Sequence, residues 1–108
     1  MEKPTLDELT LLHANICQAL GDPRRILILY ALAQRPRYVS ALADDLVMPQ
    51  PTVSRHLQLL RQRALVIAER DGAAVIYRLA DERIIEVLDS MRLLLRDALA
   101  RQSSKLPS

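Results

Sequence analysis

The sequence contains one cysteine, two glycines and neither tryptophan nor phenylalanine among its 108 residues. With Cys17 alone, no disulfide can form within the chain, which predicts a reducing compartment. Two glycines against six prolines leave too little backbone freedom for a turn-rich all-β fold or a glycine-rich phosphate loop. Because aromatic residues make up only 3%, aliphatic residues must fill the core, which favours helices.

Long apolar runs are also missing, since no stretch approaches the roughly 20 residues that span a bilayer. The start, Met1-Glu2-Lys3-Pro4, precedes acidic residues rather than the apolar stretch of a signal peptide. We therefore expect a cytoplasmic protein with a single domain over residues 1–108. No Ser-His-Asp set or catalytic carboxylate pair is apparent, so we expect no enzymatic activity and no cofactor.

The formal charge of +2 is weak evidence by itself, but its placement is informative. Lysine occurs only at Lys3 and Lys105, so arginine supplies nearly all the positive charge. Arginine donates paired hydrogen bonds to phosphate and guanine. Residues 50–78 hold five arginines against two acidic residues, whereas residues 81–101 hold four against five. The positive excess therefore lies in the middle of the chain.

Two helices are predicted in the first third of the sequence. Thr5 and Glu8 have the spacing of a capping box, and Leu and Ile recur every three or four residues over 5–20. Gly21 ends this helix. Asp22-Pro23 starts the second helix with a capping side chain and a first-turn proline, and Arg35-Pro36-Arg37 ends it as a linker.

The next segment has the pattern of a helix-turn-helix. A short helix is predicted over residues 40–46, and the prolines of residues 47–51 interrupt it. A new helix begins near Gln50 or Pro51 and runs to about Arg63. Its buried stripe is predicted to comprise Val53, Leu57 and Leu60. Two short helices joined by a tight turn are typical of a helix-turn-helix.

After this pair the periodicity changes to that of strands. Residues 65–70 and 74–79 are rich in β-branched residues and flank Asp71-Gly72, a strong hairpin signal. Asp81 can cap a last helix over about residues 82–100, with 102–108 as a flexible tail. The predicted fold is mainly α with a two-stranded β wing, in the order of four helices, two strands and a fifth helix.

Three segments match the pattern of a known family. The opening of the family pattern is similar to residues 19–29, ALGDPRRILIL. Its recognition helix is similar to residues 49–60, PQPTVSRHLQLL, and its wing is similar to ALV at 64–66, followed by DG and by VIYRL at 75–79. Found together and in this order, they make the chain resemble the ArsR-type winged helix-turn-helix transcriptional repressors from about Leu12 to Leu99. The resemblance implies a repressor that binds operator DNA.

The predicted recognition helix would place polar side chains in the major groove, which accepts one α-helix. Gln can pair with adenine and Arg with guanine, while hydroxyl groups suit phosphates. The expected DNA-contacting residues are Gln50, Thr52, Ser54, Arg55, Gln58, Arg61, Arg70 and Arg78.

Several alternatives remain open for this surface. Ser54 and His56 could cap, brace or pack instead of touching DNA. The turn from Asp71 to Ala74 lacks a basic tip, which leaves Arg70 and Arg78 as the phosphate contacts of the wing. The whole domain could instead bind another protein, although such a surface would show apolar anchors.

A homodimer on an inverted-repeat operator is expected, because one winged domain offers few DNA contacts and two linked copies add theirs. The apolar sides of the terminal helices, about residues 5–20 and 82–100, exceed what a small core needs. The resemblance also implies that these helices form the dimer interface. The candidate interface residues are Leu9, Leu12, Ile84, Leu88, Met91 and Leu95, unless they only close the core of one chain.

The resemblance also implies positions for metal ligands, and these do not hold suitable residues. A Cys-x-Cys pair in the family falls on Tyr38 and Ser40 of this sequence. An Asp-x-His pair reads Asp81-Glu82-Arg83, and the later ligand positions fall near Leu94 and Asp97. Zinc requires three or four N, S or O donors, so no familiar metal site is predicted.

The effector is left open by the sequence. Cys17 could sense redox state, for example by pairing with its counterpart in a dimer, or it could be inert packing. His13 and Cys17 lie four residues apart and, doubled by symmetry, could form an improvised metal site. A small organic effector, or none at all, are the other hypotheses.

Overall fold

The computed structural model describes residues 2–105, with side chains described through residue 103. It is mainly helical with a small antiparallel β wing, as predicted. The elements in chain order are α1 (Leu6–Leu12), α2 (Pro23–Gln34), β1 (Arg37–Tyr38), α3 (Val39–Leu46), α4 (Gln50–Gln62), β2 (Val66–Asp71), β3 (Ala74–Leu79) and α5 (Arg83–Lys105). None of the described helices is long and apolar enough to cross a membrane.

The first helix begins as predicted but does not continue to residue 20. The Thr5 hydroxyl accepts the Glu8 N–H at 3.2 Å. The Asn15 side-chain amide donates to the Leu11 carbonyl at 2.8 Å, which is the acceptor that its own N–H would use in an α-helix. The Gln18 N–H instead bonds five residues back to His13. A π-helical turn (His13–Cys17) and a 3₁₀ turn (Ala19–Gly21) therefore replace the predicted α-helix.

The β sheet has three strands rather than the two expected. The hairpin forms with Asp71 opposite Ala74, and Gly72 takes the left-handed conformation at φ +64°. Arg37, predicted to belong to a linker, and Tyr38, for which no element was predicted, pair antiparallel with the outer side of β3, giving the order β1-β3-β2. The segment after Pro36 thus forms a short edge strand.

The turn between α3 and α4 depends on an unusual backbone conformation at Val47. This residue has φ +53° and its N–H bonds back to the last turn of α3. Pro49 then forms the N-cap of α4 and Pro51 lies in its first turn, where a missing N–H costs nothing. The two prolines therefore stop α3 and start α4, as the sequence predicted.

The hydrophobic core lies where α2, α3, α4 and β2 meet. The predicted stripe of α4 is confirmed, because Val53, Leu57 and Leu60 are all 0% exposed. They pack with core residues of the neighbouring elements, including Ile28, Leu29, Leu42 and Val66. The position of α4 relative to the rest of the domain is set by this packing.

The terminal helices expose most of their apolar residues. No residue of α1 is buried, and Leu9, Leu12, Met91 and Leu95 are 42–57% exposed. One expectation needs correction. Leu88 is only 2% exposed and belongs to the core of the single chain, because it lies in the part of α5 that packs against the rest of the domain. Ile84 is half-buried against the same core, and its contact with a second chain stays a prediction.

The last helix is longer than predicted. It begins at Arg83, whose N–H donates to the Asp81 carboxylate at 2.9 Å, and it continues to Lys105. Residues 102–105 are therefore helical rather than a tail, because no proline or glycine interrupts them. The rest of the predicted tail, residues 106–108, lies outside the described residues.

Replacing Val47 with glycine should stabilise the protein. A β-branched residue in the left-handed region is strained, and Val47 is 89% exposed, so the change removes strain without removing packing. We expect the free energy of unfolding, measured by urea denaturation, to rise by roughly 0.5–1 kcal/mol. The control Val75→Gly, in the regular conformation of β3, should lower it. A decrease for both variants would contradict the strain at Val47.

Candidate nucleic-acid interface

The helix α4 has one buried and one solvent-exposed face. Opposite its apolar stripe, the polar residues Gln50, Ser54, Arg55, Gln58 and Arg61 are exposed and Thr52 is half-buried. This arrangement follows from the helical period, since the buried residues recur at spacings of three and four. The residues predicted to read DNA on this helix thus lie on the surface that a ligand can reach, and their contact with DNA stays a prediction.

Two cations of this face are not neutralised. Within the described part of the chain, neither Arg55 nor Arg61 forms a hydrogen bond or ion pair with another side chain, whereas Arg24 and Arg83 each bind an aspartate at their own helix start. An arginine fork without an internal partner remains available for phosphate or guanine. The face therefore presents polar groups with an excess of positive charge.

His56 lies on the opposite side of α4 and does not reach the exposed face. It is 8% exposed, with Nδ1 at 3.4 Å from Arg25 Nη1 and Nε2 at 4.0 Å from an Asp22 carboxylate oxygen. Arg25 in turn donates from Nε to the Ala19 carbonyl at 2.7 Å. For His56, burial and these contacts favour a structural role over contact with DNA, because the side chain braces α4 against the start of α2. Ser54 is exposed and remains a candidate DNA contact.

The contacts around His56 also include a strongly ionised carboxylate, that of Asp22. Hydrogen bonds from the Arg24 side chain and backbone lower the pKa of Asp22 from 3.8 to about 2. Burial lowers the pKa of His56 below 6.5, and the attraction of Asp22 only partly offsets this. The imidazole is therefore neutral and acts as a packed polar group between α4 and the start of α2.

The two arginines of the wing differ in their surroundings. Arg78 is engaged by Glu69 of the neighbouring strand, with Nε at 2.6 Å from Oε1, so its charge is largely neutralised. Arg70 is exposed and forms no such pair within the described residues. The wing thus offers one unpaired cation, at Arg70, where two had been expected.

At the wing tip, an aspartate is held by an aromatic hydroxyl. The Tyr38 hydroxyl donates a hydrogen bond to the Asp71 carboxylate, and this bond raises the pKa of Tyr38. The contact ties β1 to the far end of β2. The tip therefore presents a hydrogen-bonded carboxylate rather than a cation, in keeping with the sequence.

One structural residue near the interface was missed by sequence reasoning. Arg37 is 6% exposed and bonds the Asp45 carboxylate of α3 and the Gln34 side-chain oxygen of α2 at 2.9 Å. It thereby fixes the first helix of the helix-turn-helix to α2. An arginine next to a proline is typical of an exposed linker, so no local signal in the sequence could have predicted the burial of Arg37.

A second missed contact joins α2 to α5. The Tyr30 hydroxyl donates to Asp89 at 2.6 Å, and the Arg92 guanidinium lies 5.3 Å from the centre of the Tyr30 ring. Burial and the bond to Asp89 raise the pKa of Tyr30. The last helix is therefore connected to the centre of the domain by polar contacts as well as by Leu88.

Several of the positions that the resemblance compares with metal ligands are engaged in contacts within this chain. Arg83 Nη2 lies 2.7 Å from the Asp81 carboxylate, which its hydrogen bonds hold at a pKa of about 2, and Tyr38 is engaged with Asp71. Among the described residues, no group of three or more His, Cys, Asp or Glu side chains could hold a metal. Cys17 and His13 are both exposed on the π-helical turn.

The arrangement of α3, α4 and the hairpin defines the class of the protein. Two short helices joined by a tight turn present the second helix to solvent, and a β-hairpin follows directly. This is a winged helix-turn-helix. Residues 22–68 match the model of the family described as bacterial regulatory protein, arsR family.

Individual relatives agree with this match. The chain is 41% identical over 74 residues to the HTH-type transcriptional repressor SmtB of Mycobacterium tuberculosis, covering 68% of this chain but only 55% of that protein. It is 38% identical over 76 residues to an uncharacterized HTH-type transcriptional regulator of Methanocaldococcus jannaschii, covering 69% and 85%. The chain belongs to the ArsR family.

A solved structure supports the same fold. The solution structure of the homodimeric winged helix-turn-helix DNA-binding domain Mb0332 from Mycobacterium bovis superposes with a TM-score of 0.72 at 32% identity. The match covers 90% of this chain and 92% of that domain. The predicted fold and family are thereby confirmed.

The buried histidine makes stability depend on pH. Because the folded state lowers the pKa of His56, the unfolded chain takes up the proton first as pH falls below 6.5. We expect the free energy of unfolding to decrease from pH 7 to pH 5, and His56→Gln to flatten this dependence. The carboxylates of Asp22 and Asp81 take up protons only below about pH 4, so they do not contribute to the change between pH 7 and pH 5. Equal slopes for both proteins, measured by urea denaturation, would contradict a neutral buried imidazole.

Proposed function

We propose that the chain is a sequence-specific DNA-binding transcriptional repressor, without enzymatic activity, that binds an inverted-repeat operator as a homodimer. The observation that carries this proposal is the exposed face of α4, where polar side chains and two unpaired arginines lie opposite a fully buried stripe. A helix of this width fits the major groove, and its side chains suit base edges and phosphates. The family membership supports the same function.

The expected contacts divide into two groups. Gln50, Arg55 and Gln58 carry the groups that hydrogen-bond base edges, while Thr52 and Ser54 suit phosphates through their hydroxyls. Arg61 and, in the wing, Arg70 suit phosphates because they are cationic and exposed. Arg78 is less suited to a phosphate contact than Arg70, because Glu69 offsets its charge.

Homodimer formation is supported by the terminal helices. A seven-residue helix without buried residues is not stable by itself, so α1 needs a surface to pack on. The exposed large apolar residues of α1 and α5 are Leu6, Leu9, Leu11, Leu12, Val87, Met91, Leu93, Leu94, Leu95 and Leu99. A patch of this kind marks a protein interface. The related Mycobacterium bovis domain is homodimeric, which supports a second copy as the partner.

Regulation through Cys17 is a second hypothesis, because this thiol is free and exposed. The protein-binding alternative has less support, since the exposed face of α4 carries no large apolar residue that could anchor a partner.

Replacing Arg55 with alanine should weaken operator binding. If the guanidinium reads a guanine, the loss is roughly 1–3 kcal/mol of binding free energy. The measurement is a mobility-shift titration on the DNA upstream of the protein's own gene, at two salt concentrations. The control Arg96→Ala, an exposed arginine of α5, should leave the affinity close to that of the unaltered protein. Unchanged affinity for Arg55→Ala would remove this residue from the contacts.

Placing a charge on the apolar face of α5 should dissociate the dimer. Leu95 is 57% exposed, so Leu95→Asp loses little packing within one chain but would bury a carboxylate between two. We expect this variant to sediment as a monomer in analytical ultracentrifugation. Val47→Asp, an equally drastic change at an 89% exposed position of the helix-turn-helix, should leave the dimer intact. A dimeric Leu95→Asp protein would place the interface elsewhere.

A further inference from the structure

A cavity of about 670 Å³ lies between the segment joining α1 to α2, the end of α4 and the start of α5. Its size is within the range of sites for small organic ligands. Its wall is mostly aliphatic, and the residues that form it are Leu12, Ile16, Leu20, Arg63, Ala64, Leu65, Asp81, Arg83, Ile84 and Val87. The cavity is thus an apolar space with three charged groups.

Arg63 is the group in this cavity that lacks a partner. Its Nε is buried without a hydrogen bond, and no other described residue forms an ion pair with it. The Nε of Arg37 is also buried without a hydrogen bond. The other guanidinium nitrogens of Arg37 nevertheless bond Asp45 and Gln34, and Arg25 bonds Ala19 and Gln18. Of these three described arginines, Arg63 is therefore the one without an acceptor on any guanidinium nitrogen. A half-buried guanidinium without an acceptor is costly unless something supplies one.

The remaining charges of the cavity leave it positive. Asp81 and Arg83 neutralise each other through a paired contact, with Nη2 at 2.7 Å from Oδ2. Arg63 therefore contributes an uncompensated charge. The start of the 23-residue α5 adds the positive end of its helix dipole, whereas the end of α4 adds a negative one, so Arg63 decides the sign.

We propose that this cavity binds a small amphipathic anion, such as a carboxylate on an aliphatic chain or a ring. The carboxylate pairs with the Arg63 guanidinium, whose planar fork suits two carboxylate oxygens. The apolar part lies against Ile16, Leu20 and Ile84. A cation is disfavoured by the same arginine, and a neutral apolar molecule leaves the charge of Arg63 uncompensated.

The test is a calorimetric titration of the full chain with octanoate, and with octanol as its uncharged counterpart. We expect saturable binding of one octanoate per chain and binding of octanol at least tenfold weaker. Arg63→Gln should weaken octanoate binding about tenfold or more, because a charge-assisted pair is lost. The matched control Arg61→Gln, an exposed arginine two residues earlier in the chain, should bind octanoate like the unaltered protein. No DNA is present, so the outcome is independent of the proposed operator binding.

A second variant keeps the charge and removes the space. Ile16→Phe enlarges a half-buried side chain that lines the cavity, and it should reduce octanoate binding while Arg63 stays in place. Amide chemical shifts recorded during the titration should change at residues 63–65 and 81–87. Octanoate binding that survives both variants, shifts confined to the exposed far half of α5, or no binding because a second copy fills the cavity would each overturn the proposal.

Discussion

The burial of Val53, Leu57 and Leu60 fixes how α4 is rotated about its own axis, and the rest of the structure depends on that setting. Rotation by one residue would turn the apolar stripe toward water and the polar face into the core. The cost of exposing three fully buried aliphatic side chains is about 1.5–3 kcal/mol each. The rotation of α4 therefore belongs to the fold itself.

Polar contacts then add directional restraints around this packed centre. His56 sits between Arg25 and Asp22 at the start of α2. Arg37 holds α3 to the other end of α2 through Asp45. Both contacts involve α2. This helix and α4 each have four buried residues. The second helix thus acts as the common support for both helices of the helix-turn-helix.

The features predictable from sequence were those encoded by local signals. Thr5 and Asp22 form the caps that their positions suggested, and the spacing of the α4 stripe predicted its buried face. The hairpin forms where Asp71-Gly72 predicted it, with Gly72 and Ala73 as the two turn residues. Each of these depends on interactions within a few residues, where propensity and periodicity are informative.

The features missed depend on partners distant in sequence or on competition for one hydrogen bond. Whether Leu88 faces the core or a second chain is decided by how α5 lies on the domain. Arg37 is buried because Asp45 is there to meet it, and Arg78 is neutralised by a residue across the hairpin. The π-helical turn includes Asn15, whose side chain bonds the Leu11 carbonyl that its own N–H would use in an α-helix, and a short sequence pattern does not predict which of the two donors is used.

The long last helix, α5, is held against its own domain near one end. Only its beginning packs against the core, and Tyr30 and Asp89 meet near the point where it leaves the domain. The residues beyond that point extend about 24 Å at 1.5 Å per residue. A tilt of about 10° at this point would displace the far end of α5 by about 4 Å, and the start of α5, about 9 Å on the other side, by less than about 2 Å. The Tyr30–Asp89 contact is thus the point about which a small tilt of α5 would be enlarged about two- to threefold at its far end.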